Sequence, residues 1–276
     1  MVIDFHVHLA DTVPIGPLKR LEISVHQLID RMNREGIDRA VLLPLESPEA
    51  ISGYYLTRDA LRDFATYPER LIPFVSIDPR MPGLKDLIAL YEKRGCVGFG
   101  ELKNGLAFDD PLNKAIYAEC DARGWACVFH SDPTLCWDEV GLPRLESCLK
   151  EFPNCQFVAH GPGWWAALSA DDQRQGGYPK GKIVPGGAAD RLLGEYPNLW
   201  ADLSAGSGFN GLTRDPDFTV GFIERHWRKL LFGTDLMYCG QELPQVKWLR
   251  EEAPVTDEQR QAIAGGNALR LLGMAK

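Results

Sequence analysis

Short apolar runs rich in β-branched and aromatic residues recur along the whole chain. They fall at Val2–Leu9, Ala40–Leu45, Leu71–Ile77, Cys96–Leu102, Ala126–His130, Cys155–His160, Leu199–Leu203 and Lys229–Asp235. Most intervals between them are about thirty residues, enough for the strand, loop and crossover helix that parallel neighbours require. Most of the intervening segments read as helices. Val25–Glu35 puts His26, Ile29, Met32 and Asn33 on related turns, and Asp110–Arg123 opens with Asp109 and Asp110 before Pro111 and stops at Gly124. Leu142–Phe152 and Phe218–Trp227 read the same way, and Asp257–Leu272 reads as a closing helix.

This alternation predicts a parallel sheet with helices outside it. Eight strands, rather than five or six, favour a closed (β/α)₈ arrangement, the TIM barrel, as a single α/β domain over residues 1–276. One interval breaks the rhythm. Residues 161–190 are rich in Gly, Pro and polar side chains and carry Trp164, Trp165, Tyr178 and Lys180. So long an irregular connection after a strand end is expected to act as a lid over the site.

Composition narrows the function classes. The 276 residues carry 30 basic and 38 acidic side chains, a net charge of −8, which disfavours a nucleic-acid partner. A small-molecule substrate is expected instead, and self-association is left open. The N-terminus carries no basic run followed by an apolar stretch, and no window approaches a membrane span, so neither signal peptide nor membrane is expected. Seven cysteines, an odd number without a CxxC pair, point to reduced thiols in the cytoplasm, with Cys127 and Cys155 as small core residues.

In a barrel of this kind the C-terminal strand ends build the site. His6 and His8 lie two apart on the first strand and share a face. Glu101 ends the fourth strand, His130 the fifth, His160 the sixth and Asp235 the eighth. Four of the chain's 6 histidines therefore sit at strand ends, while His26 and His226 fall in charged helical segments and are read as surface residues. Imidazoles and carboxylates around an open position describe a catalytic divalent metal site. Zn²⁺ is the first expectation, with Mn²⁺ open.

The strings His6-Val7-His8, Phe129-His130-Ser131-Asp132, Ala159-His160-Gly161-Pro162-Gly163 and Phe232-Gly233-Thr234-Asp235 together resemble the amidohydrolase superfamily, in particular its amidohydrolase 2 branch of metal-dependent TIM-barrel hydrolases. The resemblance implies that His6, His8, His130 and Asp235 surround one metal, with Asp235 also shuttling the proton. It implies that His160 orients water or substrate, or binds a second metal. Glu101 has three readings there: bridging two metals, binding one, or hydrogen-bonding a ligand; a plain salt bridge to Lys103 is a fourth. One tight site is expected, with a weaker second one open. Lys103, Arg80, Arg214, Trp164 and Tyr178 are the candidate substrate contacts.

The expected activity is hydrolysis of an amide, lactone or other ester of a small molecule through a metal-activated water. Non-hydrolytic decarboxylation or hydration is the alternative within the same branch. A TatD-like phosphoesterase, suggested by Glu101, ranks behind it, and an inactive metal-binding barrel ranks last.

Overall fold

The computed structural model describes residues 1–9, 23–50, 55–172 and 178–275. Among them eight parallel strands run in chain order: β1 (Ile3–Val7), β2 (Arg39–Leu42), β3 (Leu71–Pro73), β4 (Gly98–Leu102), β5 (Ala126–His130), β6 (Gln156–His160), β7 (Leu199–Asp202) and β8 (Leu230–Leu231). Among the described residues nine helices lie between them: α1 (Val25–Glu35), α2 (Thr57–Thr66), α3 (Leu84–Lys93), α4 (Pro111–Arg123), α5 (Pro143–Glu151), α6 (Pro162–Ala166), α7 (Ala188–Glu195), α8 (Ala205–Thr213) and α9 (Pro216–His226). Local chemistry sets the clearest boundaries. Ser24 and Gln27 form a reciprocal capping box at the start of α1, and left-handed Gly36 ends it. Asp110 caps α4, Pro111 opens it and left-handed Gly124 closes it.

The strands pair in the orders β1-β2-β3 and β4-β5-β6-β7-β8. Two seams join these arcs into a closed barrel. Val75 bridges Phe99 between β3 and β4, and Val7 bridges Leu236 between β1 and the segment after β8. Phe5 N–H donates to Phe232 O at 2.9 Å and Asp235 N–H to His6 O at 2.9 Å along the second seam.

Ile3, Phe5, Val41, Leu43, Ile72, Phe74, Val128 and Val158 fill the barrel interior, whereas Val7, Leu42, Val75 and Phe99 belong to the layer under the helices. Ile3 and Phe5 thus face inward and Val7 outward. The register slips between Asp4 and Val7, and that slip turns His6 and His8 toward the mouth above Phe5. A second slip lies between Phe99 and Leu102. Gly98 and Gly100 back onto the interior residues Phe74 and Val128, so strict alternation would send Glu101 outward; the slip brings it in.

Several sequence expectations need correction. The closing helix is interrupted by a π-helical turn over Ala262–Gly266, which frees the Ile263 carbonyl to accept Phe232 N–H at 3.0 Å. His226 is buried rather than on the surface, its Nε2 2.6 Å from Asp190 Oδ1, where it ties α9 to α7. His26 is exposed as expected. Within the irregular stretch 161–190, residues 173–177 lie outside the described residues, and α6 places Trp164 and Trp165 in the core. Trp165 packs edge-on to Phe222 of α9 with ring centroids 6.4 Å apart. Cys127 and Cys155 are fully buried. Among the described residues no helix is long and apolar enough to cross a membrane.

Candidate metal centre

β1, β4 and the turn after β8 bring four ligand atoms to one point. His6 Nε2 and His8 Nε2 lie 3.1 Å apart. Asp235 Oδ1 is 3.7 Å from the first and 3.4 Å from the second, and Glu101 Oε2 is 3.9 and 3.4 Å away. The far side of each imidazole is anchored. His8 Nδ1–H donates to Leu43 O at 2.7 Å, and His6 Nδ1–H to Asp202 Oδ2 at 2.5 Å. Both Nε2 atoms are left facing the carboxylates, as a metal-binding histidine requires.

Asp235 reaches the centre from a left-handed backbone conformation, φ 55°. A short polar residue tolerates that conformation, and a hydrogen-bonded clip holds it. Thr234 donates its hydroxyl to Asp4 Oδ2 at 2.6 Å and its N–H to Asp4 Oδ1 at 2.9 Å. Burial pushes the Asp4 carboxyl up to about 7 despite these bonds.

Glu101 stands between two clusters. Oε2 faces His6 and His8, while Oε1 is 3.1 Å from His130 Nδ1 and 3.8 Å from His160 Nε2. The groups His6–His8–Asp235 and Glu101–His130–His160 can each converge on a cation, and so can His6–His160–Asp202. His130 therefore sits with Glu101 and His160 rather than with His6, His8 and Asp235. Its Nε2 faces Asp132 Oδ2 at 3.0 Å, so both ring nitrogens meet carboxylates.

Charge in this pocket is one-sided. Burial alone would raise the Glu101 carboxyl, but the Lys103 charge, the hydrogen bond with His130 and the nearby imidazole of His8 outweigh it and hold the acid well below its usual range. Burial likewise opposes ionisation of Asp235, and the His8 bond with the nearby imidazoles reverses the balance. His8 shows the counterpart: burial would lower it, yet Asp235 and Glu101 carry it up to about 9. A proton on His8 thus supplies positive charge that the carboxylates demand. Glu101 Oε2 is buried and has no hydrogen-bond partner among the described residues. Two imidazole nitrogens and two carboxylate oxygens, one of them orphaned, fit a divalent ion of the Zn²⁺ or Mn²⁺ type.

The candidate substrate contacts separate. Lys103 reaches the centre, its Nζ 3.6 Å from Glu101 Oε2. Tyr178 lies at the rim against Gly206 of α8, and burial and the Asp235 charge both raise its hydroxyl. Arg80 is spent elsewhere: its fork binds Glu49 at 2.7 Å and Asp78 at 2.5 Å, so it is not free to clamp a substrate. Arg214 is half-buried at the far end of α8, where it feels Asp171, Asp172 and Asp215. Asp215 instead accepts from Ile183 N–H at 2.9 Å and caps α9. Trp164 is fully buried, and its indole N–H has no partner among the described residues.

Asp202, Ser204, Asp132 and Asp4 are the polar residues at the centre that the strand-end argument passed over. Asp202 carried the signal that flagged the others, an acid at a strand C-terminus. Asp4 stood in the same strand as the histidines.

The family model described as Amidohydrolase matches residues 3–274. No curated protein sequence matches the chain. Among solved structures, an amidohydrolase from Burkholderia multivorans with bound zinc covers 100% of both chains at 16% identity and TM-score 0.69. A probable 2-pyrone-4,6-dicarboxylic acid hydrolase from Acinetobacter baumannii, with citric acid bound, has 15% identity and TM-score 0.66 with 99% of each chain covered. A dihydroxybenzoic acid decarboxylase from Polaromonas, with bound manganese and 2-nitroresorcinol, has 14% identity and TM-score 0.62, covering 100% of this chain and 97% of that one. At these identities the likeness carries the fold, a TIM barrel, and not the reaction.

Proposed function

This chain belongs to the amidohydrolase family, and from that premise we propose that it is a metal-dependent hydrolase of a lactone, other ester or amide in a small organic acid. The observation that carries the reading is the convergence of His6 Nε2, His8 Nε2, Asp235 Oδ1 and Glu101 Oε2, with the last atom buried and unpartnered. His6, His8 and Asp235 would hold the tight ion, with Glu101 able to share it with a weaker second one at His130 and His160. When bound, a divalent ion there supplies Lewis acidity toward a carbonyl oxygen and lowers the pKa of a water.

The chain's own groups supply the rest. Asp235 is kept ionised by His8, so Oδ1 or its partner oxygen takes the proton of the attacking water and returns it to the leaving group. Lys103, an ammonium whose pKa is raised by Glu101 and Asp235 against its burial, anchors a substrate carboxylate or carbonyl. His160, fixed at Nδ1 by Ser204 at 2.9 Å, presents Nε2 to the reacting region. Tyr178 borders the entrance. The preferred ion is Zn²⁺, and the buried thiols Cys96, Cys120, Cys127, Cys136, Cys148 and Cys155, none in a disulfide, support a cytoplasmic setting.

Support for the substrate class comes from Lys103 and from two neighbours whose names concern carboxylic acids. The decisive experiment assays metal content of the purified protein. It then screens carboxylated lactones, esters, amides and aromatic acids with and without chelator, reading split products against released CO₂. Chelator-sensitive bond cleavage without CO₂ is expected. Release of CO₂ would replace hydrolysis by decarboxylation at the same centre. Less than roughly a tenth of an ion per chain after Zn²⁺ and Mn²⁺ reconstitution would overturn the metal reading.

A further inference from the structure

Asp202 closes β7, is fully buried, and meets two histidines from two other strands. Its Oδ2 lies 2.5 Å from His6 Nδ1 and 3.3 Å from His160 Nδ1, and accepts the Ser204 hydroxyl at 2.9 Å. Its Oδ1 accepts Ser204 N–H at 2.9 Å. Ser204 Oγ in turn sits 2.9 Å from His160 Nδ1. A hydroxyl has one proton, and Ser204 spends it on Asp202. Toward His160 it can then only accept, which places the His160 proton on Nδ1. His6, facing a carboxylate, carries its proton on Nδ1 for the same reason. In both rings the lone pair is left on Nε2, the atom turned to the centre.

The space for this carboxylate is built in. A side chain on Gly233, in the segment after β8, would collide with Asp202 Oδ1 and crowd Ser204 and His6. Glycine at that position lets β7, β8 and β1 close around the acid.

We propose that Asp202, acting with Ser204, is a positioning residue that fixes the tautomers of His6 and His160 together. One buried carboxylate thereby sets a metal-binding imidazole and an imidazole of the reacting region in a single geometry. Only the affinity arm of the test rests on the metal reading above; the tautomer arm does not.

The experiment compares the full-length wild type with Asp202→Asn, Ser204→Ala and Gly233→Ala. Thermal melts establish that each variant is folded. Two-bond proton–nitrogen correlation spectra of histidine-labelled, metal-free protein report the tautomers, and competition with a chromophoric chelator reports Zn²⁺ affinity. The wild type is expected to show Nδ1-protonated His6 and His160. Asp202→Asn should lose both patterns and bind Zn²⁺ roughly 10- to 100-fold more weakly. Ser204→Ala should perturb His160 alone and leave Zn²⁺ affinity unchanged. Gly233→Ala, by displacing the carboxylate, should reproduce the Asp202→Asn spectrum, which keeps the test open should Asp202→Asn fail to fold.

Retention of both tautomers in the folded Asp202 and Gly233 variants would overturn the proposal. So would loss of a whole equivalent of Zn²⁺ with the remaining affinity unchanged, since Asp202 would then be a ligand. A wild type that binds no Zn²⁺ but shows the Asp202-dependent tautomers would sink the metal reading and leave the positioning role standing.

Discussion

Two histidine–aspartate pairs in this barrel, one fully and one partly buried, have nearly the same geometry. His6 meets Asp202 at 2.5 Å inside the mouth, and His226 meets Asp190 at 2.6 Å between two outer helices. They differ in what else the acid and the ring can see. Asp190 also binds Arg225, at 2.8 Å, so a permanent cation balances its charge. Asp202 has Ser204 and His160 for further partners, and the other nitrogen of His6 looks onto Glu101 and Asp235. The outer pair closes its own charge balance and works as a tie between α7 and α9. The inner pair belongs to a pocket with more carboxylates than protein cations, which calls for an ion from solution. A histidine beside an aspartate does not make a site; uncompensated charge around it does.

Four measurements can break or sharpen that contrast. The largest expected effect is on turnover. Asp235→Asn should lower kcat by roughly 10²- to 10⁴-fold on the first substrate found, because it removes the proton acceptor. Asp190→Asn should leave kcat at the wild-type level, and an equal loss in both variants would erase the distinction.

Next comes the pH dependence of metal affinity. Below its folded pKa of about 9, His8 must release a proton before it can bind an ion. Apparent Zn²⁺ affinity should therefore fall by about tenfold per unit as pH drops from 8 to 6. His226→Ala should show the same slope, and a flat profile in wild type would show that His8 does not take part.

Stability separates the two regions in a third way. Saturating Zn²⁺, at 100 to 1,000 times its dissociation constant, should stabilise the protein by about 3–4 kcal/mol in urea melts. His226→Ala should cost about 1–3 kcal/mol through the hydrogen bond left unmade at the α7–α9 tie, with the Zn²⁺ increment intact. If that substitution abolished the increment, the outer pair would not be independent of the centre.

The last effect, a slope read unit by unit rather than a single offset, concerns Asp4, a buried acid whose nearest polar partner among the described residues is Thr234. Its folded carboxyl, raised from 3.8 to about 7, holds a proton that the unfolded chain releases. Its contribution to stability is thus fully present below 3.8 and is lost as pH rises toward about 7. In metal-free protein, Asp4→Asn should remove a destabilising slope of up to about 1.4 kcal/mol per pH unit across that window. Parallel slopes for wild type and variant would show that burial does not raise this acid.

Much of the barrel was legible because local interactions write it. Val25–Glu35 emerges with the predicted limits, since a capping box and a left-handed glycine need no tertiary partner to mark a helix. Ala126–His130 does likewise as a fully buried strand. His130 and His160 end their strands and His6 and Glu101 lie one residue before the ends of theirs, whereas His8 follows β1 and Asp235 lies in the turn beyond β8, a strand shorter than the sequence suggested. The departures are non-local. Arg80 looked available until Glu49, 31 residues earlier in the chain, closed on its guanidinium. His226 looked solvent-exposed in a charged segment until Asp190 covered it. The register slips in β1 and β4 depend on how neighbouring strands pair, and strict alternation would have sent Glu101 outward.

By itself, then, the sequence determined the order of strands and helices, the barrel they close into and the residue types offered at its mouth. Hydrophobic periodicity, caps and strand-end positions are properties of neighbours along the chain. Tertiary structure decided which nitrogen of each histidine faces inward, which carboxylate stands between the two clusters, and which charges are already paired. Those are distances between residues far apart in sequence, such as His6 and Asp202 with 196 positions between their numbers. Electrostatic demand for a metal arises only when such groups are buried together in space.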